Sequence, residues 1–247
     1  MLPEARAARL RQAGGSVLRK VGGVFGLDQV RSLERLRRPN TVDKLHERAV
    51  EQSAAFIEPH LASASLFSSS VALHEWCARR FPQLPKGHYL EFGFFQGQSA
   101  HVFANGLERL EEKQKLVCFD SFSGLRDGWS QVDLPAGSFD QGGIAPEGWA
   151  QVEFVVGWVE ETLPVFLSRS PGAVVFVHLD LDVYEPTREV LRLIRPRFVT
   201  GSLLLFDELH GYPGFQHYEL RALNESLGPD EYEFVAFGPE QALIRLL

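Results

Sequence analysis

From residue 88 onward, short apolar runs alternate with stretches whose apolar residues recur at helical spacing. Apolar runs of four to eight residues bounded by turn residues predict buried strands, and 3.6-residue periodicity predicts amphipathic helices. This reading gives strands at His88–Gly93, Lys115–Ser121, Val152–Gly157, Ala173–Asp182 and Ser202–Asp207. Helices fall between or after them at Gln98–Lys113, Glu160–Ser168, Thr187–Ile194 and His217–Ser226. Two closing strands follow at Glu233–Phe237 and Ala242–Leu246. Repeated strand–helix units predict an α/β fold, a mostly parallel sheet with helices on both faces. The run AVVFVHLDLD is apolar enough for a central parallel strand.

Upstream, 41–61 and 64–81 have helical spacing, with Thr41 and either Ser63 or Ser65 as candidate N-caps and Pro82 and Pro85 as terminators. The chain is read as a basic arm over 1–40 and one domain over 41–247, with N-terminal helices at 41–85 and the α/β core at 86–247. Residues 122–151 break the rhythm. A loop that long, rich in Gly, Asp and Pro, usually covers a site.

Charge sharpens this picture. The net charge is −7 over 247 residues, which disfavours nucleic acid as a partner. Residues 1–40 carry eight Arg and one Lys against three acids, so the negative excess sits in the remainder. The arm is read as a solvated or homo-oligomer contact, with a membrane-surface or targeting role as the sharper alternative. Two cysteines, Cys77 and Cys118, make neither a disulfide framework nor a zinc site. No apolar run reaches the roughly 20 residues that span a bilayer. The expectation is a cytoplasmic protein without stable membrane insertion.

Two places carry candidate chemistry. The first is Glu91-Phe92-Gly93-Phe94-Phe95-Gln96-Gly97-Gln98-Ser99, a strand turning into a helix. Gly93 permits a tight turn and Gly97 a close approach of ligand or helix to the backbone. The third glycine of the dinucleotide fingerprint is missing, which disfavours NAD. Asp120 ends the next strand, where it could accept hydrogen bonds from ribose hydroxyls or simply cap the following turn. Phe119, Phe122 and Trp158 are candidates to flank a base, against a core role.

The second place joins Asp180 and Asp182 with Asp207 and Glu208, at the carboxyl ends of neighbouring strands. Carboxylates that close repel unless one is protonated or a cation is present. Mg²⁺ favours such oxygen ligands. The competing reading is solvated acids paired with Arg188, Arg192 or Arg221. Asp180 or His210 could serve as a general base, while His178 reads as a core histidine. Trp129, Phe139 and Trp149 could form an apolar lid or merely pin the long loop.

LEFGFFQGQSA, FDSFSGL, GWVEETLP, HLDLDVYEPT and LLLFDE, in this order and spacing, resemble the macrocin O-methyltransferase family of class I S-adenosylmethionine-dependent enzymes. The resemblance covers roughly residues 85–210. It implies a Rossmann-like class I methyltransferase fold, a seven-stranded sheet whose last strand is antiparallel. It also implies Mg²⁺-assisted methyl transfer to a hydroxyl of a sugar or natural-product small molecule. Cofactor roles carry over to Glu91, Gly93, Gly97, Ser99, Asp120 and Ser121. Metal roles carry over to Asp180, Asp207 and Glu208, with Glu208 standing where the family usually has a second Asp. The alternative is a non-catalytic scaffold of that fold in a biosynthetic complex.

Overall fold

Leucine, valine and phenylalanine dominate the strand sequences, and the observed elements follow them. The computed structural model describes residues 40–110, 112–129 and 134–247. The basic arm therefore lies outside the described residues up to residue 39. Arg48–Leu247 forms one compact unit, and of the preceding unit only residues from 40 are described.

The elements are α1 (Thr41–Ile57), β1 (Ser65–Leu66), α2 (Ser70–Ala78), β2 (His88–Phe92), α3 (Gln98–Leu107) and β3 (Leu116–Asp120). Then come β4 (Val152–Val156), α4 (Val159–Arg169), β5 (Val174–Leu179), α5 (Tyr184–Ile194), β6 (Phe198–Phe206), α6 (Glu219–Ser226), β7 (Tyr232–Phe237) and β8 (Ala242–Leu246). The sheet runs β1-β7-β8-β6-β5-β2-β3-β4. Only β8 is reversed, antiparallel to both β6 and β7. This is the arrangement the resemblance implies, with one addition. Ser65–Leu66 adds an eighth, edge strand parallel to β7, where the sequence reads as helix.

Two caps differ from expectation. Asn40, not Thr41, caps α1: its Oδ1 accepts from Asp43 N while its own N–H donates to Asp43 Oδ2, both at 3.0 Å. Ser69, not Ser63 or Ser65, caps α2, its Oγ accepting from Ala72 N. Shifting the start to Ser69 frees the upstream residues to pair with β7. Helix α3 stops at Leu107, six residues before the expected end, because the charged residues after it bury no apolar stripe.

The order of strands reverses between β2 and β5: from there β3 and β4 lie one way, β6 and β8 the other. Such a switch point opens a crevice at the carboxyl ends. Layers of helix cover both faces. On one face α2 and α3 pack so closely that a Cβ on Gly106 would meet Ala78 Cβ at 2.8 Å and the Phe81 ring at 3.1 Å. Alanine is a better helix former by about 1 kcal/mol, yet overpacking costs about 1–3 kcal/mol. Gly106→Ala is therefore expected to lower the urea midpoint. A raised midpoint would show that α2 yields and helix propensity wins.

Candidate functional site

Parallel register builds the floor of the site. Cys118, Glu91 and His178 are partners across β3, β2 and β5, so their side chains share one row on one face. Glu91 is fully buried. Its Oε1 lies 2.8 Å from His178 Nδ1, and its Oε2 accepts from Cys118 Sγ at 3.2 Å. The carboxylate expected to touch a cofactor is thus committed inside the sheet, one residue before the strand end. Burial and the Glu91 charge push the Cys118 thiol far up, so it is inert as a nucleophile.

Beyond the strand ends lies a cleft of about 890 Å³, a size suited to two small molecules side by side. Gly93, Asp120, Ser121, Asp180 and Glu208 line it, as do Phe119 and Trp158. Gly93 has φ 89°, and a Cβ there would fall 1.8 Å from the Asp180 carbonyl oxygen. Only glycine lets the ends of β2 and β5 come this close. Glu91, Gly97, Ser99, Asp207 and His210 do not line the cleft. A Cβ on Gly97 would strike the Phe94 and Trp149 rings, so this glycine serves aromatic packing rather than ligand approach. Ser99 is buried in the first turn of α3.

Asp120 organises the rim. Its Oδ2 accepts from Phe94 N at 2.7 Å and Phe95 N at 3.4 Å, and its Oδ1 accepts from Phe122 N at 2.7 Å. Phe95 and Phe122 both hold positive φ, 44° and 53°. Such backbone costs about 1–3 kcal/mol per residue and persists only where neighbours enforce it. The turn-capping role is therefore present, on a residue that also faces the cleft. In the long loop, Phe139 lines the cleft and packs edge-on against Phe95 at 5.2 Å. Trp149 packs on Phe94 and Trp129 on Tyr212. Of the three lid candidates, one reaches the cleft and two pin the loop. Phe122 is core, at 1% exposure.

The acids do converge. Oxygens of Asp180, Asp207 and Glu208 lie within 4.8 Å of one another. Asp182 joins the same cleft, though not by strand alternation. Strand β5 ends at Leu179, and Asp182 at φ 63° sits in a tight turn closed by Val183 N donating to the Leu181 carbonyl. Glu219, which the sequence hides as an ordinary first-turn helix acid, is fully buried and accepts from Glu208 N at 3.0 Å. Glu208 Oε2 and Glu219 Oε1 are buried without hydrogen-bond partners. The arginines that could have neutralised these acids pair elsewhere: Arg188 and Arg221 with Glu225, Arg192 with Glu189.

Burial, then the charge of its neighbours, raises the proton affinity of Asp180, Glu208 and Glu219 well above the usual carboxylate range. Asp182 is pushed up to about 7 by burial and by Asp207. Asp207 goes the other way. Burial would raise it, but the His178 and His74 imidazoles beside it hold it below the usual range. His210, a candidate base, is 2% exposed and contacts the Gln241 carbonyl through Nε2 at 3.1 Å. Burial pulls its pKa down to about 4, so it is neutral and turned away from the cleft. An all-oxygen set with orphaned buried oxygens suits a hard divalent cation. No helix among the described residues is long and apolar enough to cross a membrane.

Comparison with known proteins agrees with this fold. Residues 90–209 match a family described as a methyltransferase domain. A 58-residue stretch is 34% identical to 8-demethyl-8-(2,3-dimethoxy-alpha-L-rhamnosyl)-tetracenomycin-C 4'-O-methyltransferase of Streptomyces olivaceus, covering 24% of this chain and 21% of that protein. The match thus spans about a fifth of that relative's length. Among solved structures, a calicheamicin methyltransferase superposes with TM-score 0.59 at 22% identity, over 93% of this chain and 90% of its own. An apo structure described as a TDP-rhamnose 3'-O-methyltransferase of calicheamicin biosynthesis gives TM-score 0.54 at 27% identity, over 71% and 78%.

The buried acids make metal-free stability depend on pH. A carboxyl group whose folded pKa is raised favours the folded state at low pH and loses that contribution as pH climbs through the folded value. For Asp182 the window runs from about 4 to about 7, and Asp180, Glu208 and Glu219 act in the same sense. His178, raised above 6.5 by Asp207 and Glu91 against burial, also loses its contribution as pH rises. His210 opposes them between about 4 and 6.5, and the partly buried His60, lowered by burial, acts in the same sense as His210, two groups against five. The melting temperature in EDTA is expected to fall from pH 5 to pH 8, and Glu219→Gln to raise it at pH 8. A flat profile with no effect of Glu219→Gln would refute the buried charge cluster.

Proposed function

We propose that this chain, whose residues 90–209 match a family described as a methyltransferase domain, is an S-adenosylmethionine-dependent O-methyltransferase acting on a hydroxyl of a sugar or natural-product small molecule. The observation that carries this reading is one continuous cleft across the strand ends, with Asp120 at the end of β3 and the acids Asp180, Asp182 and Glu208 beyond the ends of β5 and β6. The tetracenomycin and calicheamicin relatives, named as enzymes that methylate rhamnose-bearing compounds or TDP-rhamnose, support the substrate class.

When bound, S-adenosylmethionine supplies an electrophilic methyl and a divalent cation polarises the acceptor oxygen. The chain's own work is placement, which is worth much of the barrier in such reactions. Gly93 holds the ends of β2 and β5 together in the cleft wall. Asp120, besides holding Phe94, Phe95 and Phe122, presents a carboxylate to the cofactor's ribose, and Ser121, Phe119 and Trp158 wall that end. Asp180, Asp207 and Glu208 would hold the cation, the orphaned Glu208 oxygen being its clearest vacancy for a ligand bond. Tyr184 and Tyr218 also line the cleft and are the aromatic walls we assign to the acceptor.

The proton-accepting role passes from Asp180 and His210 to Asp182. It lines the cleft, is no member of the cation set, and has a proton affinity near neutrality, where general bases work best. Asparagine tolerates left-handed backbone, so Asp182→Asn keeps the turn. It is expected to lower kcat by about 10²–10⁴-fold with the Kd for S-adenosylmethionine unchanged. Mass-spectrometric methyl transfer to rhamnosides checks this, and an unaltered kcat returns the role to another group.

Asp180→Asn is expected to abolish turnover and its dependence on Mg²⁺ while calorimetry still shows cofactor binding. Failure of the wild type to bind S-adenosylmethionine would overturn the enzyme reading in favour of a scaffold.

A further inference from the structure

The acid cluster has a second face. Asp207 reaches the cleft-side acids, yet it also meets two imidazoles from elements on its other side. His74 Nε2, from α2, lies 3.3 Å from Asp207 Oδ1, and His178 Nε2, from β5, lies 3.4 Å from the same oxygen. The three ligand atoms all fall within 4.8 Å of one another. Both histidines are at least nine-tenths buried, at 6% and 0% exposure.

A conventional ion-pair network does not account for this. His178 bridging Glu91 and Asp207 would be complete by itself. The second imidazole is not needed for that bridge: His74 Nε2 lies beside the Asp207 carboxylate as a charge neighbour, but it is buried with no hydrogen-bond partner. The separations are also long for charge-assisted hydrogen bonds, which run about 2.7–2.9 Å. They do match the edges of a tetrahedral metal site, since two bonds of about 2.0–2.1 Å at the tetrahedral angle put their ligand atoms about 3.3–3.4 Å apart.

We propose that His74, His178 and Asp207 form a second metal site, selective for a nitrogen-preferring ion of the Zn²⁺ class and distinct from the all-oxygen set of Asp180, Asp207 and Glu208. Asp207 bridges the two, one carboxylate serving both. The support expected around a metal-bound histidine is already in place. Such a histidine usually donates its other ring N–H to a carboxylate, which fixes the tautomer. Here His178 Nδ1 faces Glu91 Oε1 at 2.8 Å, so Nε2, turned toward Asp207, is the nitrogen that would ligate. Ligand type sorts the two sites: imidazole suits Zn²⁺, Fe²⁺ or Co²⁺, whereas carboxylates alone suit Mg²⁺ or Mn²⁺. A metal here would tie α2 to the ends of β5 and β6, which no hydrogen bond of His74 does.

The test needs no methyl transfer and so stands apart from the enzymatic reading. The full chain is stripped with EDTA, loaded with Zn²⁺ in excess Mg²⁺, and desalted. One Zn²⁺ per chain is expected to remain, and none on His74→Gln. Glu91→Gln is expected to weaken Zn²⁺ by about 10–100-fold, as loss of a supporting carboxylate does. Glu208→Gln, which alters only the oxygen set, should retain it. Should the histidine variant fail to fold, X-ray absorption of the Zn²⁺-loaded wild type decides, with two imidazoles expected in the coordination shell. Zn²⁺ bound through oxygen alone, Zn²⁺ retained equally by His74→Gln, or no Zn²⁺ retained against Mg²⁺ would each overturn the proposal.

Discussion

Like charge gathered out of water is the constraint on which the rest of this structure turns. Asp180, Asp182, Asp207, Glu208 and Glu219 crowd the carboxyl ends of β5 and β6 and the start of α6, with orphaned oxygens on two of them. Isolated buried carboxylates protonate rather than stay charged, unless partners hold them. The chain sets the His178 and His74 imidazoles beside Asp207 on its inner side and gives Glu219 one backbone donor, Glu208 N, while Asp180, Asp182 and Glu208 face the cleft. That asymmetry is a reason to read the site as one built to receive positive charge, not as a set of structural ion pairs.

The backbone is shaped to make this crowding happen. Gly93 at φ 89° lets β2 close on the Asp180 carbonyl, and Asp182 at φ 63° turns the chain at the end of β5. Asp120 holds two further strained residues, Phe95 and Phe122, through three backbone N–H groups. Strained backbone concentrates where the surroundings over-determine it, and such places are commonly functional. All of these positions lie at the strand ends beside the switch point between β2 and β5. One edge of the sheet therefore combines tight turns, buried charge and the cleft.

Much of this was legible in the residues. The apolar runs that became β2 to β8 are rich in valine, leucine, isoleucine and phenylalanine and bounded by turns, so each strand falls where the sequence puts one, though β6 begins earlier, at Phe198, and β5 stops at Leu179 before its acids. The family resemblance drawn from five motifs is borne out by the methyltransferase-domain match. What stayed hidden depends on register and tertiary contact. Nothing local marks Glu91 as the partner of His178 and Cys118, because that row exists only once three strands align. Glu219 looks like any acid in a helix's first turn, and His74 like any helical residue. Ser65 and Leu66 read as helix because an edge strand of two residues carries no periodicity. Gly97 has the sequence of a ligand loop but is filled by Phe94 and Trp149.

The central claim is that the strand-end acids form a divalent-cation site. Anomalous diffraction from crystals of the full chain soaked in Mn²⁺, a scattering stand-in for Mg²⁺ with the same preference for oxygen ligands, tests it most directly. The account predicts a peak bonded to Asp180, Asp207 and Glu208. A peak elsewhere, or none while the crystals hold those carboxylates in place, would contradict it.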